Sequence, residues 1–160
     1  GIHARGGLAR PPPGERTSIV HGDYRLDNMV LHASEPRVIA VLDWELSTLG
    51  DPLADFTYYL MNWMLPRDSR SSLNGVDLKP LGIPERDEVV ALYCQHTGRD
   101  GIPALDWYFA YNAWRLACIL QGIAGRVRDG TAASAHALDM IKRIRPLAMG
   151  AHGCAKKAGL

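Results

Sequence analysis

The sequence predicts a mainly α-helical domain that carries a small β-hairpin near its start. Two runs rich in β-branched and apolar residues, "NMVLH" and "RVIAVLD", flank the turn residues 33–36 and predict the hairpin. Apolar residues recur at helical spacing in segments 53–64 and 107–120 and predict two long helices. These features together favour a helical domain over a sheet-based one.

The first elements follow from capping and turn signals. Residues 18–21 are expected to form a short strand that leads into the hairpin. Asp51 and Pro52 favour a helix start, because a capping side chain comes directly before proline at the first helical position. The apolar face of this helix should lie in the core, and Pro66 should end the helix.

The later elements are separated by a polar segment, 66–82, that is broken by Gly and Pro and predicts a long loop. A helix is expected from Pro84 to about Gly98. The next helix, about 106–128, is apolar on nearly every side between Trp107 and Leu120, which predicts a buried central helix. A last helix should then fray after residue 150.

The chain as a whole reads as one domain. We expect a linker or cut end at 1–17, the folded domain at 18–150 and a flexible tail at 151–160. The chain has 160 residues, of which 47% are apolar, and a net charge of +1. Because the only basic run is Lys156–Lys157, a nucleic-acid partner is not expected.

Other partner and compartment classes are also bounded by the sequence. No apolar run approaches the roughly 20 residues that span a bilayer, and the first residues have no signal-peptide pattern. The three cysteines are too widely spaced for a zinc clip or a disulfide framework. We therefore expect a cytoplasmic protein with no membrane partner, in which the cysteine thiols are buried or take no part in the chemistry.

A polar constellation lies at the open end of the hairpin. A turn centred between Glu35 and Pro36 would place Asn28 opposite Asp43, with the two α-carbons about 5 Å apart. An amide oxygen and a carboxylate side by side suit Mg²⁺ when phosphates and waters complete its shell. The run His21-x-Asp23-x-x-x-x-Asn28 has the spacing of a kinase catalytic loop.

In that chemistry the aspartate accepts the proton of the attacking hydroxyl, while the asparagine and a later aspartate hold Mg²⁺. Asp23 would be the base, and Asn28 and Asp43 the ligands of the metal and its nucleotide, with ATP as the phosphoryl donor. The bland alternative is that Asp23 and Asn28 only cap turns. The spacing to Asp43 and the motifs downstream favour the catalytic interpretation.

These motifs carry a resemblance. Through "HGDYRLDN", "VLDWE" and "GDPLAD" the chain resembles the aminoglycoside phosphotransferase and choline kinase family of small-molecule kinases. Its motif sequences are most similar to those of the branch associated with acyl-CoA dehydrogenases, and the resemblance covers about residues 17–149. The resemblance implies the C-terminal lobe of a protein-kinase-like fold.

The resemblance implies two supporting residues, Asp55 and His21, and side-chain chemistry suggests three more. Asp55 would anchor the catalytic-loop backbone, unless it is an ordinary helix-surface carboxylate. His21 would buttress the loop, with direct proton transfer as the alternative. Glu45 would support the metal or bond the backbone. Arg25 would meet a phosphate or acidic substrate, or form a surface ion pair. Arg115 would pair with a carboxylate that is either structural or part of a substrate.

Two kinase parts are missing from the sequence. It contains no G-x-G-x-x-G loop, and all four lysines follow the proposed catalytic loop. We therefore expect a lobe without its N-lobe that phosphorylates little or nothing alone and self-associates through the unpacked face. Its partners would be the N-lobe or an acyl-CoA dehydrogenase domain.

The acceptor would be a small-molecule hydroxyl, since only residues 44–50 separate Asp43 from the next helix start and leave no room for a protein kinase activation loop. The resemblance suggests a hydroxy acid or a hydroxyacyl-CoA. An aminoglycoside is less favoured, because the loop 66–82 contains only Asp68 and Asp77 as acidic residues. The rival hypothesis is a non-catalytic kinase-like binding or scaffolding module.

Overall fold

The computed structural model describes residues 16–69, 71–131 and 137–160. The linker expected at 1–17 lies outside the described residues except for its last two. The strands and helices, in chain order, are β1 Ser18–Val20, β2 Met29–Leu31, β3 Val38–Val41, β4 Thr48–Gly50, α1 Leu53–Leu60, α2 Arg86–Thr97, α3 Leu105–Arg128, α4 Ala137–Lys142 and α5 Ile144–Lys157.

The strands form two separate antiparallel pairs. β2 pairs with β3 as the predicted hairpin, with a bulge at Val30 and Leu31. β1 pairs with β4, so that Ile19 lies opposite Leu49. The sequence did not predict β4, which lies in the segment expected to connect the hairpin directly to the first helix. This second pair closes the polypeptide around the segment that contains the catalytic-loop motif.

The first helix begins where the capping signal predicts. The side chain of Asp51 accepts a hydrogen bond from the N–H of Leu53 at 3.0 Å, which satisfies one of the free donors of the first turn. The helix α1 ends at Leu60 and continues as a 3₁₀ turn, Met61–Trp63. Its buried residues are Leu53, Phe56, Thr57 and Leu60.

The helix α3 lies at the centre of the helical core. Two polar contacts tie it to α1: Tyr108 donates its hydroxyl to Asp51, and Asn112 donates Nδ2 to the hydroxyl of Thr57 at 2.9 Å. The predicted buried central helix is only partly buried, because Trp114 is 46% exposed and Ile119 is 48% exposed. One face of α3 therefore remains open to solvent.

The loop and the helix between α1 and α3 agree closely with the prediction from the sequence. Segment 66–82 contains only a short 3₁₀ turn, Lys79–Leu81, among its described residues. Glu85 caps α2 in a capping box with Glu88, and Gly98 ends the helix in the left-handed conformation. These caps explain why the boundaries of α2 were readable from local signals.

The last helix is longer than expected. The sequence predicts fraying after residue 150, but α5 runs to Lys157. Ala151 and Cys154 are 5% and 7% exposed and belong to the same core cluster as Phe109 and Ala113 of α3. Packing against α3 therefore stabilises the segment that was expected to be a flexible tail.

Among the described residues, no helix has the length and apolar character needed to cross a membrane.

Candidate active site

The catalytic-loop motif lies between β1 and β2 and is held by a carboxylate from α1. Asp55 accepts a hydrogen bond from the N–H of His21 at 2.5 Å and another from the N–H of Gly22 at 2.9 Å. A carboxylate that bonds two consecutive backbone N–H groups fixes the direction of the chain that follows. The structure thus places Asp55 against the loop backbone, and not on the free surface of its helix.

The turn at Gly22 requires glycine. Its φ is +86°, and an added Cβ would lie 2.6 Å from the carbonyl oxygen of Leu46. The carbonyl of Gly22 accepts a hydrogen bond from Arg115 of α3. The guanidinium of Arg115 also lies 5.1 Å from the ring centroid of Tyr58. The loop is therefore held from α1, from α3 and from the segment after β3.

The partner of Arg115 differs from the one expected. We predicted a carboxylate, but among the described residues its partners are a neutral carbonyl and an aromatic ring. A backbone carbonyl satisfies the hydrogen bond of a guanidinium without neutralising its charge. Among the described residues Arg115 thus has no paired carboxylate, although the charges of Asp23 and Arg115 both act on Tyr58.

His21 is buried and contacts both the catalytic-loop motif and the residue after β3. It is 2% exposed, and its ring contacts Trp44 with centroids 4.7 Å apart. Its Nε2 lies 2.7 Å from the carbonyl of Leu42, and its Nδ1 lies 3.2 Å from the N–H of Asp23. Because a carbonyl only accepts and an N–H only donates, Nε2 carries the proton and Nδ1 accepts. Both ring nitrogens are thus occupied, which disfavours the proton-transfer alternative.

Asp23 and Asn28 are brought into direct contact. Nδ2 of Asn28 donates to the backbone carbonyl of Asp23 at 2.9 Å and to its carboxylate at 3.0 Å. The amide oxygen of Asn28 accepts no hydrogen bond from the residues that the structure describes. Nε of Arg25 lies 3.2 Å from the Asp23 carboxylate. The structure therefore contains an ion pair of Arg25, which was the alternative to contact with a phosphate or acidic substrate.

Tyr58 is a neighbour of Asp23 that the sequence interpretation missed. Burial, followed by the charge of Asp23 and a hydrogen bond to its carboxylate, raises the pKa of Tyr58 to about 12. Tyr58 lies three residues after Asp55 on α1, and this spacing puts both side chains toward the same face of the helix. This spacing is the sequence signal from which a position of Tyr58 near the loop could have been predicted.

The hairpin register differs by one residue from the prediction. We expected Asn28 opposite Asp43, but the N–H of Leu42 donates to the carbonyl of Asn28 at 2.8 Å. Met29 lies opposite Val41, and this register places Leu42 across from Asn28. Asp43 is the next residue, and its left-handed backbone (φ 67°, ψ 52°) ends the extended chain there. On the turn side Leu31 lies opposite Val38, so the turn is centred between Ser34 and Glu35, one residue earlier than predicted. The bulge between Val30 and Leu31 recovers one of the two positions by which the register would otherwise differ.

The conformation of Asp43 is unusual. It is the one non-glycine residue with positive φ among the described residues. Such backbone strain costs of order 1 kcal/mol or more and is concentrated at functional sites. Glu45 follows in an exposed 3₁₀ turn, Trp44–Leu46, and makes no hydrogen bond with the described residues, so the backbone bond considered for it is absent.

The donors present suit a magnesium–nucleotide site that the protein supplies only in part. In the described part of the chain, no three His, Cys, Asp or Glu side chains converge to hold a metal. Asn28 and Asp43 instead offer an amide oxygen and an exposed carboxylate. Mg²⁺ binds one or two such protein oxygens together with phosphates and waters. The two residues therefore fit a metal that arrives with a nucleotide.

Comparison with known proteins decides the family. A family model described as "Phosphotransferase enzyme family" matches residues 7–108. The chain belongs to the phosphotransferase enzyme family. The family resemblance seen in "HGDYRLDN", "VLDWE" and "GDPLAD" is thus confirmed.

Curated relatives of this phosphotransferase domain agree with the branch assigned from the sequence. Acyl-CoA dehydrogenase family member 10 from Mus musculus is 42% identical over 151 residues, which cover 92% of this chain and 14% of that protein. Acyl-CoA dehydrogenase family member 11 from Homo sapiens is 36% identical over 139 residues, which cover 86% and 18%. The chain therefore spans less than a fifth of the length of these relatives.

A solved structure supports the fold. A candidate aminoglycoside phosphotransferase from Ralstonia eutropha JMP134 superposes with a TM-score of 0.82 at 52% identity. The match covers 88% of this chain and 43% of that one. The predicted fold class, a mainly helical kinase-like lobe with a small β-hairpin, is confirmed.

Proposed function

We propose that this domain transfers the γ-phosphate of ATP to a hydroxyl group of a small molecule. The observation that carries the proposal is the contact of Asp23 with Asn28 on a loop whose backbone Asp55 and Arg115 hold in place. Pre-positioned groups of this kind supply most of the catalysis in phosphoryl transfer. Membership of the phosphotransferase family supports the same reaction class.

Asp23 receives the proton of the acceptor hydroxyl as its oxygen attacks. A new oxygen–phosphorus bond forms to the terminal phosphorus, the bond to the bridging oxygen breaks, and ADP leaves with that electron pair. Asn28 keeps the Asp23 carboxylate oriented through Nδ2. The ion pair between Arg25 and Asp23 has to open, or to follow the carboxylate, when a hydroxyl approaches.

Asn28 and Asp43 would hold Mg²⁺ through the amide oxygen and the carboxylate. When bound, the ion offsets negative charge on the transferred phosphoryl group. His21, Asp55 and Arg115 act on the chemistry only by fixing the loop. Glu45 lies close enough in sequence to Asp43 to support the metal through water.

The proposed acceptor is a hydroxy acid or its CoA thioester. The names of the acyl-CoA dehydrogenase relatives support this substrate class. The scaffold hypothesis predicts instead that nucleotide does not bind.

The first test is calorimetric titration of the chain with ATP in the presence and absence of Mg²⁺. We expect binding that needs Mg²⁺ and that weakens about tenfold or more in Asp43→Asn, because that variant removes an anionic ligand. Asp77→Asn is the matched control, since Asp77 is exposed in the remote loop and its loss should leave affinity unchanged.

Transfer is then tested on a longer protein that supplies the glycine-rich loop and lysine. Asp23→Asn should bind Mg·ATP normally and lose at least about a thousandfold in turnover. We expect this chain alone to show little or no turnover. Magnesium-independent ATP binding, or full turnover by Asp23→Asn, would contradict the assigned roles, whereas a longer protein that neither binds nor transfers would favour a scaffold.

A further inference from the structure

The side chains of α3 form a stripe that begins under the catalytic loop and continues into solvent. Ile119, Gly122 and Arg126 follow Arg115 by four, seven and eleven residues, which places all three within about 40° of it around the helix. Arg115 contacts Gly22 of the loop, whereas Ile119 is 48% exposed. Gly122 and Arg126 are also exposed. The open part of the stripe therefore adjoins the proposed site of phosphoryl transfer.

The guanidinium of Arg126 folds back along this stripe. A Cβ built on Gly122 would lie 3.9 Å from Nη1 of Arg126 and would meet nothing else within 4 Å. The missing side chain at Gly122 thus leaves a shelf with a cation at its edge. We call Ile119, Gly122 and Arg126 the α3 shelf.

No described residue forms an ion pair with Arg126. Among residues 16–69, 71–131 and 137–160 no carboxylate pairs with it. Arg128, two residues later and on another face, pairs with Asp129 at 2.9 Å. Arg115 is likewise bonded to a neutral carbonyl. Among the described residues Arg126 therefore carries an unpaired positive charge on the open part of the stripe, and such a charge attracts anions.

We infer that the α3 shelf binds the anionic end of the acceptor, with Arg126 as the residue that pairs with it. The inference rests on the proposed function, because it places the acceptor hydroxyl at Asp23. Seven residues of helix separate Arg115 from Gly122, about 10 Å along the axis. The acceptor would therefore carry a carboxylate or phosphate on the order of 10 Å from the hydroxyl, with an apolar middle against Ile119.

The test measures binding without nucleotide, so that it does not depend on transfer. The probe is 8-hydroxyoctanoate, an extended hydroxy acid of suitable length, and 1,8-octanediol is its neutral counterpart. We expect the acid to bind more tightly than the diol. Arg126→Gln should weaken acid binding about tenfold, because a charge-assisted bidentate pair is lost, and should leave diol binding unchanged.

Arg128→Gln is the matched control and should bind the acid within twofold of the original chain. Gly122→Leu fills the shelf and also favours the helix. It should therefore weaken binding of 8-hydroxyoctanoate without unfolding the protein. Equal affinities in Arg126→Gln and Arg128→Gln, or no measurable binding of the acid by the original chain, would overturn the inference.

A second arm identifies the source of the anion. Tighter binding of 8-hydroxyoctyl phosphate with the same loss in Arg126→Gln assigns the pair to a phosphate, whereas preference for the free acid assigns it to the carboxylate. Either result supports the shelf. If acid binding depends on Arg126 but a longer protein transfers no phosphate to it, the shelf stands and the proposed function fails.

Discussion

Two residues near the site have positive φ angles for different physical reasons. Gly22 has φ +86°, and the carbonyl oxygen of Leu46 leaves no space for a side chain on its α-carbon. Asp43 has φ 67° although it carries a side chain. Glycine adopts this conformation without strain, whereas in aspartate it carries a strain energy that contacts with the surrounding structure must offset. The strained residue is the one for which we propose a metal.

Gly22→Ala should destabilise the protein more than a left-handed glycine normally does. Strain and the contact with Leu46 together should cost about 2–4 kcal/mol. Gly82 has φ +67° and open space around it, so Gly82→Ala isolates the strain and should cost only about 1 kcal/mol. Urea denaturation of both variants measures the difference. Equal losses would mean that the loop moves freely away from Leu46.

Tyr58 predicts a dependence of stability on alkaline pH. Burial raises its pKa from 10.0 to about 12, with further contributions from Asp23. Because the unfolded chain releases this proton first, the free energy of unfolding is unaffected below about pH 10 and falls as the pH rises toward 12. Tyr58→Phe should reduce that fall, as measured by urea midpoints below and within this range.

Tyr111→Phe serves as the control for that experiment. Tyr111 stacks on Trp107 of α3 and takes no part in the contacts of Asp23. The Tyr111→Phe variant should therefore show the same fall in the free energy of unfolding at alkaline pH as the original chain. A fall that is the same in the original chain and in Tyr58→Phe would show that Tyr58 ionises equally well in the folded protein.

Among the elements, α1 joins the site to the core although it has only eight residues. Asp55 faces the catalytic loop, while Thr57 bonds Asn112 of α3 on the other side. Asp51 bonds Tyr108 at the start of the helix. A displacement of α1 relative to α3 would therefore move the loop as well. The short helix transmits the rigidity of the helical core to the site.

The element α5 supplies a test of core packing. Ala151 is 5% exposed, so Ala151→Asp buries a charge and should cost about 2–4 kcal/mol. His152 is the next residue and is exposed, so His152→Asp should change stability by less than about 0.5 kcal/mol. Thermal unfolding compares the two variants. Equal stability would mean that α5 does not pack on α3 in solution.

At the scale of the whole molecule, exposed apolar side chains are concentrated around the strands. Ile19 and Leu49 lie opposite each other in the β1–β4 pair and are 67% and 72% exposed. Leu31 is 60% exposed, and a cavity of about 620 Å³ opens beside it and Ile19. Apolar surface of this kind usually marks an interaction site. We propose that the self-association expected from the sequence occurs through this patch.

Leu49→Lys should lower that self-association by placing a charge in the apolar patch. Sedimentation velocity over a range of concentrations should show more monomer for this variant than for the original chain. Leu138 is 65% exposed on α4, away from the strands, so Leu138→Lys should leave the distribution unchanged. A monomeric original chain, or equal effects of the two variants, would remove the strand patch as the cause.

Some features were readable from the sequence because their causes are local. Pro84, Gly98 and the apolar spacing of α3 predicted helices close to those observed, since these signals act within one or two helical turns. The spacing from His21 to Asn28 likewise indicated kinase chemistry, and the family was confirmed. Local geometry and residue type carried these conclusions.

Other features were decided by contacts between distant parts of the chain. The bulge that shifts the register at Asn28 and the pairing of β1 with β4 depend on which strands meet. The neutral partner of Arg115, 93 positions away, and the burial of Ala151 depend on how α3 packs. The sequence determined which chemical groups are present and which helices form. Only the tertiary structure decided their partners, because long-range packing selects among conformations that local preferences leave nearly equal in energy.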